Sequence, residues 1–252
     1  MLPQAFLKRP LAHRGLHDVA SGLPENSRAA VLAAIEHGYG IEIDVQLTAD
    51  DAAVVFHDYK LDRLTDGIGR VRKRTRADLA TLRLKGGREA VPDLPEILGI
   101  VDGQVPLLIE LKYQDGALGD DVGVREADVA HHLDGYHGPV AVMSFNPNST
   151  LAMQALAPDI PRGLVTDAFL PEEWDAPEDR LRALAKIEDF DRVGAAFISH
   201  NRRDLQSKAV SELKSRGVPV LCWTIRSLDQ EAEARRIADN VTFEGYLPAM
   251  HA

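Results

Sequence analysis

The chain has 252 residues, 45% of them hydrophobic and 27% charged, the make-up of a globular protein able to bury one large core. Its formal net charge of -10 repels polyanions, which argues against nucleic acid or an anionic membrane surface as main partner and means that an anionic substrate needs local positive charge. The single cysteine, Cys222, excludes an intramolecular disulfide and a thiolate zinc cage, and within PVLCWTI it reads as a buried inert thiol.

In chain order, the N-terminal MLPQAFLKRPLAHRG carries no cleavable hydrophobic region, and no apolar run approaches the ~18 residues of a membrane span. The expectation is a soluble, cytoplasmic protein without stable membrane association. The first strand is expected in PLAHRG, followed by a helix over SRAAVLAAIEHG that Gly38 closes. A second strand, GIEIDVQLT, is followed by another extended run, DAAVVFHD. About thirty residues then break the rhythm, YKLDRLTDGIGRVRKRTRADLATLRLKGGREAVP, punctuated by Asp66, Gly67, Gly69, Gly86 and Gly87. This stretch, about 58–92, has few large apolar residues for a core of its own and reads as an insertion rather than a second domain.

Strands then follow in VPLLIELK, GPVAVMSF, PRGLVTD, AAFISHN, PVLCWTI and NVTFEG, with helices over LPEILGIV, VREADVAHHLDGY, SKAVSELKSRG (closed by Gly217) and LDQEAEARRIA. Strict alternation implies parallel pairing, and eight such units predict one (β/α)8 TIM barrel over 1–252 with a small insertion after the second strand. An open doubly wound sheet is the alternative, without the glycine fingerprint that often accompanies it.

The polar residues fall at informative places. In a strand, residues i and i+2 share a face, so Glu42 and Asp44 project together, as do Glu110 and Lys112. Carboxylates inside such apolar runs need a cation, hydrogen bonds or protonation. Three hard oxygen donors fit Ca²⁺, Mg²⁺ or Mn²⁺, and a structural ion-pair network is the competing reading. His13 and His57 both close extended runs where these carboxylates gather, as a general acid and base would. Arg14 and Lys112 supply positive charge suited to a phosphate. The other seven histidines read as surface or core residues, with His200 the first to reconsider. No G-x-S-x-G elbow or Ser-His-Asp order supports acyl transfer.

HRG, then PEN, EID, FHD with LDRLTDGIG, and IELK, with SF at 144–145 and CWTI at 222–225, together resemble the glycerophosphodiester phosphodiesterases. The resemblance is dense and ordered in the N-terminal half. It implies a TIM barrel with an insertion after the second strand, and metal-dependent hydrolysis of small-molecule glycerophosphodiesters to glycerol 3-phosphate and an alcohol. By that resemblance His13 and His57 are acid and base, Glu42, Asp44 and Glu110 hold one divalent cation (Mg²⁺ or Ca²⁺), and Arg14 and Lys112 meet the phosphate. Glu25 and Asn26, from PEN, join the substrate-binding set or brace it, and Phe145 and Trp223 form its apolar wall.

Two departures bear on substrate choice. The last strand reads VTFEGYLP where Thr-Asp-x-Pro is common in the family. Glu244 either stands in for that aspartate as support behind the site or reshapes the alcohol pocket. PENS replaces PENT, and Ser27 can cap the next helix as threonine would. Two rival readings remain: a phospholipase D-like hydrolase of lysophospholipids or sphingolipids, and a non-catalytic barrel that binds phosphodiesters. The oligomeric state, a homo-oligomer included, is left open.

Overall fold

A computed structural model describes residues 1–113 and 118–250. The strands are β1 (Leu11–Ala12), β2 (Gly40–Leu47), β3 (Ala53–Val55), β4 (Leu107–Leu111), β5 (Val140–Ser144), β6 (Arg162–Thr166), β7 (Phe197–Asn201), β8 (Val220–Ile225) and β9 (Asn240–Phe243). All except β3 pair in parallel around a ring that closes through β1, which bonds to both β9 and β2. The result is the eight-stranded parallel barrel that strict alternation predicts. Helices lie between the strands, including Pro147–Leu156 and Glu178–Ala185, which the apolar periodicity had not singled out. Among the described residues no helix is long and apolar enough to cross a membrane.

Period-2 alternation divides the core into two layers. Outward residues such as Ile41, Ile43, Ile109 and Val142 pack with Val31, Ile97 and Val129 of the helices. Inward residues Leu108, Ala141, Met143, Val165, Phe197 and Leu221 fill the barrel, and Leu2 and Phe6 belong to the same cluster. A Cβ at Gly163 would meet the Phe197 ring at 2.5 Å, so the small residue makes room for the large one.

The first strand is shorter than PLAHRG: His13–Leu16 turn at its end, so HRG is a strand end and a turn at once. Arg14 and Gly15 are both left-handed, at φ 57° and 78°. A Cβ on Gly15 would lie 2.9 Å from Ala30 of the next helix, which is why glycine follows the arginine. The extended run DAAVVFHD lies outside the ring. β3 runs antiparallel to β2, with Val55 opposite Val45. The hairpin returns the chain to the level of Asp44, whose carbonyl accepts from Phe56 N at 2.9 Å. The insertion also closes over a small apolar cluster of its own, with Phe56, Leu61, Val71, Leu79 and Leu84 buried, contrary to its sparse apolar content.

Candidate active site

The site is built from strand register. His13 follows Ala12, which pairs with Ile41, and Asp44 pairs with Glu110, so four polar residues from three adjacent strands meet in two steps of the pleat. Glu42, Asp44 and Glu110 each offer an oxygen within 4.8 Å of the others, and all three are buried. Glu42 Oε2 accepts from Arg14 N at 2.9 Å and lies 4.0 Å from His13 Nε2. Its Oε1 is buried without a hydrogen-bond partner among the described residues. Burial and the charges of Asp44 and Glu110 push the Glu42 carboxyl well above the usual range. Asp44 goes the other way: burial pushes it up, but the positive charges of His57, Lys112, Arg14 and His13 hold it low. An orphaned buried carboxylate oxygen among three hard donors suits a divalent cation such as Mg²⁺ or Ca²⁺.

Positive charge surrounds this cluster. Lys112 Nζ lies 2.8 Å from Glu110 Oε1 and 3.6 Å from Asp44 Oδ1. Burial pulls its ammonium down and the two carboxylates more than restore it, so Lys112 stays charged. Arg14 NH1 donates to Glu25 Oε1 at 2.7 Å, and Arg14 Nε lies 3.5 Å from Asp44 Oδ2.

The two histidines are supported alike. His13 Nδ1 lies 2.5 Å from Glu244 Oε2, and Arg226 Nε donates to Glu244 Oε1 at 2.7 Å. His57 Nδ1 lies 2.7 Å from Asp58 Oδ1, and Arg63 Nε donates to Asp58 Oδ2 at 2.7 Å. Each carboxylate fixes the ring and directs Nε2 elsewhere. His57 Nε2 lies 3.4 Å from Lys112 Nζ. Burial lowers the His13 pKa, with Glu244 opposing it. Glu244 is partly buried, which pushes its carboxyl up, yet the hydrogen bond with His13 and the nearby His17 hold it well below the usual range.

His13, Arg14, Glu42, His57, Glu110 and Lys112 line one cavity of about 200 Å³ with Phe145, Trp223 and Arg226. Phe145 and Trp223 meet edge to face at 5.5 Å, and Trp223 Nε1 is anchored on Ser199 O at 2.9 Å. Phe169 and Trp174 pack behind Phe145.

Glu25 and Asn26, expected either to join the substrate-binding set or to brace it, stand behind the cavity lining and hold residues of the site. Asn26 is buried, donating Nδ2 to Asp44 Oδ2 at 2.9 Å and accepting from Asp44 N at 3.2 Å, while Glu25 grips Arg14. Ser27 caps the following helix, accepting from Ala30 N. His17, read from sequence as an ordinary surface or core residue, lies 3.6 Å from Glu244 Oε2. His200 is buried in contact with Thr166 and Asp204 and takes no part in the cavity. Cys222 is buried, and burial pushes its thiol to about 12. Sequence reasoning missed Asp58, Arg63 and Arg226; the only signal for Asp58 was its place beside His57 in FHD.

Residues 13–240 match the glycerophosphoryl diester phosphodiesterase family model. The chain is 33% identical over 240 residues to a glycerophosphodiester phosphodiesterase of Caldanaerobacter subterraneus, covering 92% of this chain and 91% of that one. A second relative, a glycerophosphodiester phosphodiesterase of Bacillus subtilis, is 28% identical over 249 residues, covering 91% of this chain and 79% of the relative. The fold superimposes with a TM-score of 0.77 and 27% identity on an Oleispira antarctica phosphodiesterase in complex with the product sn-glycerol-3-phosphate, covering 95% of this chain and 94% of that one.

Proposed function

The chain belongs to the glycerophosphoryl diester phosphodiesterase family, and from that premise we propose that it cleaves small-molecule glycerophosphodiesters with a divalent cation and a pair of histidines. One observation carries the reading: three buried carboxylates cluster together, one with an orphaned oxygen, and two of them, Glu42 and Glu110, line a cavity with two histidines and two phosphate-compatible cations.

Glu42, Asp44 and Glu110 would hold the cation, which when bound withdraws charge from a non-bridging phosphate oxygen and supports an attacking hydroxyl. Arg14 and Lys112 offset the negative charge that grows on the equatorial oxygens. The attacking hydroxyl loses its proton to Nε2 of one histidine as its oxygen bonds to phosphorus. The bond from phosphorus to the alcohol oxygen breaks with its electron pair on that oxygen, which takes a proton from Nε2 of the other. Asp58 and Glu244 hold the opposite ring nitrogens, so each Nε2 is turned away from its carboxylate, that of His57 toward Lys112. Phe145 and Trp223 give the alcohol an apolar wall. The role of Glu244 follows its contacts: it supports His13 from behind, as the family's aspartate would, rather than reshaping the alcohol pocket.

The test is release of glycerol 3-phosphate from a panel of glycerophosphodiesters, with chelator and with added Mg²⁺ or Ca²⁺. Cation-dependent release is expected. Full turnover in a thoroughly chelated sample would sink the cation assignment, and no release from any diester would return the barrel to a binding role.

A further inference from the structure

Arg63 lies in LDRLTDGIG of the insertion and takes no part in the chemistry above. Its guanidinium is held between two carboxylates. Nε and NH2 donate to Asp58 Oδ2 and Oδ1, each at 2.7 Å. NH1 and NH2 donate to Glu25 Oε2 at 2.8 Å and Oε1 at 3.0 Å. Each carboxylate in turn grips a group facing the cavity: Asp58 Oδ1 lies 2.7 Å from His57 Nδ1, and Glu25 Oε1 accepts from Arg14 NH1 at 2.7 Å. The contacts form one line, His57–Asp58–Arg63–Glu25–Arg14.

We propose that Arg63 is a positioning residue, tying the His57 ring and the Arg14 guanidinium to one strap so that the insertion sets their mutual geometry. The inference rests on the roles given above to His57 and Arg14. Three features support it. A planar guanidinium has two edges, each able to engage a carboxylate through two parallel bonds, which an ammonium cannot do. The Arg63 side chain is 51% exposed, and ion pairs at that exposure add little stability, so two of them, made through four hydrogen bonds on one side chain, point to orientation. The arrangement also recurs at the other histidine, where Arg226 holds the carboxylate of Glu244 against His13. In both places an arginine fixes a carboxylate that would otherwise be free to swing away from its ring.

The test uses the full chain with Arg63→Ala and Arg63→Lys. Arg63→Ala is expected to lower kcat for glycerol 3-phosphate release about 10²-fold, the scale of a small misplacement of reacting groups, with Tm lowered only modestly, so that the protein stays folded under assay conditions. Millimolar guanidinium ion should recover part of that kcat without raising Tm, and should leave the wild type unchanged. Arg63→Lys should remain impaired. Asp58→Asn should cost far less in the Arg63→Ala background than in the wild type, because both changes release the same ring. Wild-type kcat in Arg63→Ala overturns the inference. So does a loss that tracks Tm alone, is indifferent to guanidinium and adds to that of Asp58→Asn. Histidine-ring NMR separates this from the functional reading. The Nδ1 proton that His57 shares with Asp58 should shift or disappear in Arg63→Ala, whether or not the diester is turned over. An unchanged His57 signal overturns the inference; a wild type that releases no glycerol 3-phosphate overturns the reading it rests on.

Discussion

Lys112 has two candidate roles that give different kinetics. It sits 2.8 Å from Glu110 and 3.6 Å from Asp44, which would suffice for a structural ion pair, yet it also lines the cavity. If it and Arg14 stabilise phosphate charge, Lys112→Met and Arg14→Met should each lower kcat/KM by about 10²-fold or more, as for a removed transition-state contact. Lower Tm with near-normal kinetics in Lys112→Met would assign it to the ion pair alone. The histidines can be told apart by the leaving group. His13→Asn and His57→Asn should each remove about 10²-fold or more of the rate on glycerophosphocholine. The variant lacking the acid should recover on a p-nitrophenyl phosphodiester, whose phenolate leaves without a proton, and the variant lacking the base should not. Near-wild-type rates on glycerophosphocholine in both would remove the two-histidine mechanism.

At the scale of elements, the insertion is joined to the barrel mouth by charge. Burial pushes the Glu25 and Asp58 carboxyls up, and Arg63, with Arg14 beside Glu25 and His57 beside Asp58, more than reverses this. Both therefore titrate below their unfolded-state values of about 4. The stability they contribute is present above that pH and is lost as pH falls through it toward the folded values. Tm should decline as pH drops from about 5 to about 3, and the decline should be shallower in Arg63→Gln, which removes the cause of the depression. Parallel Tm curves for the two proteins would show that the strap adds nothing to acid stability. Because the insertion buries its own small cluster around Phe56, Leu61 and Leu79, the barrel strands should lose little of their packing when the strap is loosened.

For the whole molecule, the cost of the site lies in the barrel. Glu42, Asp44 and Glu110 are each at most 8% exposed, and their charges repel inside an apolar shell. A cation that binds only the folded state raises stability by mass action, about 2.7 kcal/mol at a hundred times its dissociation constant. Chelation should therefore lower Tm, and Mg²⁺ or Ca²⁺ should restore it. Glu42→Ala should weaken that response to the cation and leave Tm less sensitive to chelator. A Tm unmoved by chelator and cation alike would mean that Lys112 and Arg14 alone neutralise the three carboxylates.

The alternation of apolar runs pointed to parallel strands separated by helices, eight of them as a barrel needs, because period 2 and period 3.6 are local properties that survive without knowledge of any partner. The same periodicity put Glu42 with Asp44 and Glu110 with Lys112 on common faces, and the ordered run from HRG to IELK carried the family. Packing decided the rest. Glu244 reaches His13 across 231 positions of chain, and Arg63 reaches Glu25 across 38, through loops whose meeting depends on barrel closure. His57 reaches the level of Asp44 only because β3 folds back on β2, a turn that an extended run such as DAAVVFHD does not announce. The partners of PEN are likewise set by packing: Asn26 bonds to Asp44 and Glu25 to Arg14. Local chain properties determine which residues share a face; which faces then meet, and what each polar group has left to offer, is decided only when the ring closes.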